Sequence, residues 1–354
     1  MKYLRWLLFP FSLIYGFVVI IRNWFYDAGL FKSYKFNKPV ISVGNLDVGG
    51  AGKSPMTEYL IRLLKNDYKI ATLSRGYGRR TKGYLLAAEA FPDVSASYQF
   101  ASQIGDEPAQ FKQKFPDITV AVCEKRVNGI KHLIAHHDVI LLDDAYQHRA
   151  VEPGLSILLF DYNRISEPHL ILPAGNLREP YSGRWRAQVI VITKCPKSLS
   201  RDQQEEIAQK VKPLPYQSLF FTKIAYQVPE DFNSSPVDFT IDSDTTVFLL
   251  TGIANAAPLV KYLNTLTANI IHHKYPDHHP FTLKNIAKLA AEYKACTSQK
   301  KIILTTEKDE QRLEESWFNK DEKLPVFVIP IRTEFLNNSK HDFDQLIIDY
   351  VRKY

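Results

Sequence analysis

Ser42-Val-Gly-Asn-Leu-Asp-Val-Gly-Gly-Ala-Gly-Lys-Ser54 joins an apolar strand end to a glycine-rich turn and the opening of a helix. That is the layout of a phosphate-binding loop. Glycine lets backbone N–H groups close on phosphate oxygens, and the helix N-terminus behind them adds positive potential. A lysine at the position of Lys53 reaches the β- and γ-phosphates, and the Ser54 hydroxyl suits Mg²⁺. The candidate nucleotide-binding residues are therefore Gly49, Gly50, Ala51, Gly52, Lys53 and Ser54. The strict pattern has a glycine five residues before Gly52, and Asp47 stands there instead. A glycine-rich turn that binds nothing would share the composition, so the flanks decide. Met56, Tyr59, Leu60, Leu63 and Leu64 fall at helical spacing, with Pro55 in the first turn, where its missing N–H costs little. Val40-Ile-Ser-Val43 suits a buried parallel strand, and Ile70-Ala-Thr-Leu-Ser74 is a second. Strand, loop, helix, strand is the order of a nucleotide-binding α/β domain.

The chain has 354 residues, 45% hydrophobic and 23% charged, without a low-complexity tract or a repeat of fixed period. Its formal net charge of +7 suits anionic lipid or a phosphorylated substrate. No segment resembles a nucleic-acid-binding module and no block of like charge stands out, so no nucleic-acid partner is expected. Cys123, Cys195 and Cys296 are odd in number and scattered, which argues against a disulfide framework and for a reducing compartment.

The N-terminus is the second unusual feature. Leu4 to Ile21 is almost wholly apolar and aromatic, flanked by Lys2, Arg5 and Arg22. The run falls short of the roughly 20 residues a span needs. Pro10 and Gly16 weaken it as a straight helix, and no small-x-small cleavage site follows. A buried core helix is the alternative. Trp6 and Trp24 near the ends and the basic flanks favour an interfacial or weakly spanning membrane anchor. A domain that uses ATP then lies on the cytoplasmic side.

Further along, Asp138-Val-Ile-Leu-Leu-Asp143-Asp144 is an apolar strand ending in acids, the usual source of a Mg²⁺ carboxylate beside a phosphate loop. Ala145-Tyr-Gln147-His148-Arg149 adds polar groups at the same strand end, where open α/β sheets bind ligands. Ile104-Gly-Asp106-Glu107-Pro108 sets adjacent carboxylates at an expected helix start. Asp106 could accept a hydroxyl proton and Glu107 could support Mg²⁺, although helix-capping acids would look the same. The basic turn Arg75-Gly-Tyr-Gly-Arg79-Arg80, Arg126, and Arg178 within Leu172–Pro180 suit capture of a second phosphate. Tyr275-Pro-Asp277-His278-His279-Pro280 clusters an acid with two histidines, and Lys301 to Asp309 is a strand with a polar end.

A GTPase would carry Asn/Thr-Lys-x-Asp after a strand. Here Thr193-Lys194-Cys195-Pro196 puts proline where the guanine-reading acid belongs. A membrane-associated NTPase, either GTPase or transport ATPase, is the competing reading. A kinase needs a phosphate loop, metal-binding acids, a base and a basic acceptor site, and the chain offers candidates for each.

Taken together, these segments resemble the tetraacyldisaccharide 4′-kinase family, the lipid A 4′-kinases. The resemblance rests on Ser42–Pro55, Leu73–Arg79, Gly105–Pro108, Leu142–Arg149, Pro173–Pro180, Asp277–Phe281 and Thr306–Asp309. The family's loop also lacks the first glycine, Ser54 replaces a threonine without losing the hydroxyl, and Ala145 stands where glycine is common. The resemblance implies transfer of the ATP γ-phosphoryl group to the 4′-hydroxyl of a tetraacyldisaccharide 1-phosphate, forming lipid IVA. The acceptor partner is then an acylated disaccharide 1-phosphate lipid, met at the cytoplasmic face of a bacterial inner membrane. It also implies Asp106 as base supported by His278, Lys53 on the transferring group, and Mg²⁺ at Ser54, Asp143 or Asp144 with Glu107 nearby. Arg75, Arg126, Gln147 and Arg178 would contact the acceptor. His279 leaves the histidine open by one position.

The expected fold is α/β: a P-loop NTPase-like sheet domain, a smaller C-terminal α/β domain, and an N-terminal hydrophobic membrane helix. Residues 1–29 are expected to anchor, 30–215 to form the kinase domain, and 216–354 to form a β-ribbon linker and the smaller domain closing over the cleft. Strands are expected near Thr245–Leu250, Asn269–His272 and Lys301–Leu304, and a helix over Phe343–Val351.

Overall fold

Every residue of Val40–Asn45 is buried, which explains why this strand reads as a run and not as an alternation. The computed structural model describes residues 7–90, 97–232, 235–236, 239–318 and 324–354. Its strands are β1 (Val40–Asn45), β2 (Ile70–Ser74), β3 (Leu85–Leu86), β4 (Thr119–Val122), β5 (Val139–Asp143), β6 (Leu155–Asp161), β7 (Val189–Thr193), β8 (Ser218–Tyr226), β9 (Thr246–Thr251), β10 (Ile270–Lys274), β11 (Lys301–Thr306), β12 (Val326–Ile329) and β13 (Ile331–Phe335). A nine-stranded sheet runs β13-β8-β7-β6-β1-β5-β2-β4-β3, and a four-stranded sheet runs β10-β9-β11-β12. The smaller sheet is parallel throughout. The larger is parallel except at its edges, where β3 and β13 run antiparallel to β4 and β8.

β1 lies between β6 and β5, so the chain leaves it toward both halves of the sheet. The glycine-rich loop thus emerges at the switch point, where parallel sheets open a crevice for ligands. Alternate side chains of β1 enter opposite cores. Ile41 and Val43 meet Met56, Leu60 and Leu64 of the Lys53–Leu64 helix, while Val40 joins Ile130 and Leu133 of the Arg126–Leu133 helix on the other face. The expected α/β class is therefore borne out.

The chain divides between the sheets differently from the expected boundary. Ser218–Tyr226, read as the start of a ribbon linker, is strand β8 of the large sheet. Beyond it, Glu230 makes isolated bridges to Pro236 and Val328. β12 ends the small sheet at Ile329, and Pro330 passes the chain straight back to β13 on the large one. The Lys340–Arg352 helix then buries Phe343, Ile347 and Val351 in the core that holds Tyr59 and Phe220. The small domain is thus an insertion tied at both ends; Ile331–Phe335 joins the large sheet and the Lys340–Arg352 helix packs on its core.

The N-terminal helix runs Phe9–Asp27 without a break. Pro10 falls in its first turn, where no N–H is missed. Gly16 is buried against Ile171, whose Cδ1 would lie 3.3 Å from a Cβ placed there. Ser12, Gly16 and Val19 form the docked stripe, while Phe11, Ile14, Phe17, Val18 and Trp24 are exposed.

Between the sheets lies a buried ionic junction. Lys114 Nζ donates to Glu58 Oε2 at 2.5 Å and to Glu307 Oε1. Gln110 reaches Glu58 at 2.8 Å, and Gln113 reaches Glu310 at 3.0 Å. Burial, reinforced by Glu58 and opposed by Lys114, pushes Glu307 up to about 7. Burial also pushes Glu310 up to about 8, with Gln113 opposing and Glu307 adding. Between about 4.5 and about 8 the folded chain keeps a Glu310 proton that the unfolded chain has released. Stability conferred at low pH is therefore lost as pH rises through that window. Glu310→Gln retains the acceptor for Gln113 and removes the titration. Urea midpoints measured from pH 5 to 9 should show the variant gaining on the parent as pH rises, and a pH-independent difference would contradict this assignment.

Candidate active site

The loop between β1 and the Lys53–Leu64 helix turns at Gly52, the residue before the helix, whose φ of +85° favours glycine. Lys53 Nζ donates to Asn45 Oδ1 at 3.1 Å and lies 3.6 Å from Asp144 Oδ1. Thr193 Oγ1 at the end of β7 donates to the Ala51 carbonyl at 2.8 Å, and Lys194 Nζ reaches the Gly50 carbonyl. Asp47, where the strict motif has glycine, bridges Leu177, and Val48 N donates to the Asn176 carbonyl at 2.8 Å. The Leu172–Pro180 segment thus braces the phosphate loop, a task no local pattern reveals.

Val43 of β1 pairs in register with Asp143 at the end of β5, which sets that acid beside the loop. Thr57 Oγ1, one turn into the helix, donates to Asp143 Oδ1 at 3.2 Å. Burial, with Asp144 and Glu107 adding repulsion, pushes Asp143 up to about 7. Burial alone would raise Asp144 too, but Lys53 and Arg178 outweigh it and hold that carboxyl below its usual range. Arg178 Nη1 sits 3.0 and 3.1 Å from the two Asp144 oxygens. A residue expected on the acceptor therefore rests on an acid expected on the metal. Among the described residues no three carboxylate, imidazole or thiolate side chains converge as a ready-made cage. The oxygen set nonetheless fits Mg²⁺, which keeps several waters and takes one or two carboxylates plus substrate phosphates. Burial lifts Asp143 first, and the added repulsion from Asp144 and Glu107 is what a divalent cation relieves.

Of the acceptor candidates, Arg75 is exposed at the end of β2, and Arg126 is buried at 3% exposure with Nη1 on the Cys123 carbonyl at 3.0 Å. Burial, partly offset by Asp143 and Asp144, pushes Arg126 down to about 10. Its Nε has no hydrogen-bond partner. Burial and then Arg126, Arg75 and Arg22 push the neighbouring His148 down to about 4, so the imidazole is neutral and the cluster is receptive to an anion. Gln147 Nε2 donates to the Asn45 carbonyl at 2.8 Å and to the fully buried Glu179 at 3.0 Å.

Gly105, with φ at +98°, precedes the Asp106–Lys114 helix, and a Cβ there would lie 3.1 Å from Gly76 Cα. This close approach of two backbones lays the Arg75–Tyr77 turn against the helix start that carries Asp106 and Glu107. From the second sheet comes His278, whose Nδ1 lies 3.0 Å from Asp106 Oδ2. Its Nε2 is 3.2 Å from Lys308 Nζ, which also pairs with Glu107 at 3.1 Å. An ammonium only donates and a carboxylate only accepts. Hence His278 Nδ1 carries a proton toward Asp106, while Nε2 lies between Lys308 and, at 3.9 Å, Asp277 Oδ2. His279 turns away, stacking on Tyr275 and facing Asn285 Oδ1 at 3.3 Å. The structure thus brings Asp106, Glu107 and His278 together across the two sheets. It adds Thr57 and Arg312, which local sequence patterns did not single out, and sets Lys308 of the Thr306–Asp309 motif against Glu107.

A phosphate cradle, strand-end acids and a carboxylate–imidazole pair facing one cleft define a P-loop kinase. The family model of the LpxK proteins, tetraacyldisaccharide-1-P 4′-kinase, matches residues 4–352. The tetraacyldisaccharide 4′-kinase of Phocaeicola vulgatus is 42% identical, covering 99% of this chain and 95% of its own. That of Flavobacterium johnsoniae is 42% identical over 100% and 99% of the two chains. The crystal structure of LpxK from Aquifex aeolicus in complex with ATP is 28% identical, with a TM-score of 0.73 over 98% of this chain and 99% of that one. The chain belongs to the tetraacyldisaccharide-1-P 4′-kinase family, as the sequence motifs implied.

Proposed function

We propose that the chain transfers the γ-phosphoryl group of ATP to the 4′-hydroxyl of a tetraacyldisaccharide 1-phosphate lipid, with Asp106 as proton acceptor. The observation that carries this reading is the 3.0 Å contact of His278 with Asp106 between the two sheets, with the adjacent Glu107 near enough to Asp143 to repel it. Asp106 takes the hydroxyl proton as the 4′-oxygen bonds to the γ-phosphorus, and the bond from that phosphorus to the β–γ bridging oxygen breaks to release ADP. His278 orients the carboxylate through Nδ1–H. Lys53 follows the charge on the transferring group, and the Gly49–Ser54 backbone cradles the phosphates. Mg²⁺, held by Ser54 and Asp143 with Asp144 and Glu107 close by, would neutralise phosphate oxygens. Arg178 would leave Asp144 for the acceptor, joining Arg75, Arg126 and Gln147. Phosphoryl transfer depends on such positioning and charge neutralisation more than on covalent catalysis. Asp106→Asn should lower kcat by about 10³-fold. Its ATP affinity by calorimetry should stay that of the parent, and a parental transfer rate in this variant would remove Asp106 as base.

The N-terminal helix supports placement at the cytoplasmic face of the membrane. Its docked stripe faces the acceptor loop: Ala174 N donates to Ser12 Oγ at 2.8 Å, and Tyr15 Oη donates to the Arg178 carbonyl at 2.9 Å. The opposite face is apolar and exposed, suiting a helix that lies in the interface and brings the acceptor site to its lipid. Phe11→Glu with Phe17→Glu leaves the docked stripe intact. Sedimentation with anionic vesicles should show binding weakened by more than about 10-fold, with ATP affinity unchanged. Vesicle binding equal to the parent would defeat the interfacial reading.

A further inference from the structure

Arg312 follows the Thr306-Glu-Lys-Asp309 strand end, and its side chain is only 5% exposed. The guanidinium forks across the elements that carry His278. Nη1 donates to the His279 carbonyl at 3.1 Å, and Nη2 donates to the Gly252 carbonyl at 3.2 Å and to Asp309 Oδ1 at 2.6 Å. Gly252 O also accepts the His278 N–H at 3.0 Å, and Gly252 N donates to Asp309 Oδ1 at 3.0 Å. The His278 turn, with φ at +55°, is thereby tied to β9 and to the end of β11 through one side chain.

The remaining donor points toward the other sheet. Arg312 Nε lies 3.4 Å from Asp106 Oδ2, the same oxygen that faces His278, yet it makes no hydrogen bond. An unpaired buried donor costs about 1–3 kcal/mol. Such a cost persists where a partner is engaged in another state, and catalytic hydrogen bonds are often long before substrate binds. Lysine could not substitute, because a point ammonium cannot span three acceptors and still address a fourth.

We propose that Arg312 is a positioning residue: it locks the His278 turn to the second sheet and holds Asp106 through Nε–H, so the proton acceptor is complete only when the second sheet is seated on the first. This inference rests on the reading of Asp106 as base. The test is steady-state transfer from ATP to the disaccharide lipid by Arg312→Met, Arg312→Lys, His278→Gln and the Arg312→Met/His278→Gln double variant, with Asp106→Asn measured alongside. Arg312→Met should lose about 10²-fold in kcat. Its KM for ATP should stay within about threefold, because the phosphate loop is untouched. Arg312→Lys should recover little of the loss. In the double variant the effects should not multiply, since both residues act through one carboxylate. If Arg312→Met fails to fold by circular dichroism, the double variant is made with Arg312→Lys. Parental kcat in the Arg312 variants, or losses that multiply with His278→Gln, overturn the proposal. If Asp106→Asn is active, the base reading has failed. If Asp106→Asn is dead and the Arg312 variants are normal, only the role of Arg312 has failed.

Discussion

The hydrogen bond between His278 Nδ1 and Asp106 Oδ2 joins two sheets that otherwise perform separate tasks. The large sheet holds the nucleotide loop, the strand-end acids and Asp106. The small sheet supplies the imidazole, Lys308 and Arg312. Neither sheet carries the full set alone, so the proposed chemistry depends on how they seat. Two devices govern that seating. Pro330 returns the chain directly from β12 to β13, which ties the small domain at both ends. The Glu58–Lys114–Glu307 ion pairs close the junction behind the cleft and link the phosphate-loop helix to the helix that starts at Asp106. A buried pair of this kind adds little net stability but is costly to break, which suits a joint that must settle in one geometry.

The Leu172–Pro180 segment is the second organising element. Asn176 and Leu177 brace the phosphate loop, Arg178 rests on Asp144, and Glu179 gathers Gln147, Arg186 and Asn23. The N-terminal helix docks on the same segment through Ser12 and Tyr15. A helix suited to the lipid surface is thus one hydrogen bond from a residue proposed for the acceptor. In the proposed mechanism, movement of Arg178 from Asp144 to an acceptor would free that acid for a cation and would couple acceptor arrival to metal binding.

The phosphate loop, its strand and its helix were readable from residue type and spacing because their function forces local features: glycine at positive φ, a lysine at the helix start, an apolar run before the turn. The positions of Asp143 and Asp106 were readable too, as acids at a strand end and a helix start. What escaped local reading is set by partners far along the chain. Ile331–Phe335 shows nothing in its own residues that says which sheet it joins; pairing with Lys223 and Ile224 decides that. Arg312 follows the strand-end motif by one turn, and only the folded cleft aims it at Asp106. The placement of Arg178 on Asp144 depends on a loop and a strand end that meet through tertiary contacts alone. The choice between His278 and His279 also needed the fold, since a single-residue difference reverses which side chain faces the cleft.

The most direct measurement incubates the full chain with γ-labelled ATP, Mg²⁺ and a tetraacyldisaccharide 1-phosphate in mixed micelles, then locates the label. The expected product is a bisphosphorylated lipid labelled at the 4′ position of the distal sugar, formed with stoichiometric ADP. Labelled inorganic phosphate with unlabelled lipid, at a rate indifferent to the acceptor, would contradict transfer to the lipid and return the chain to a membrane-associated NTPase.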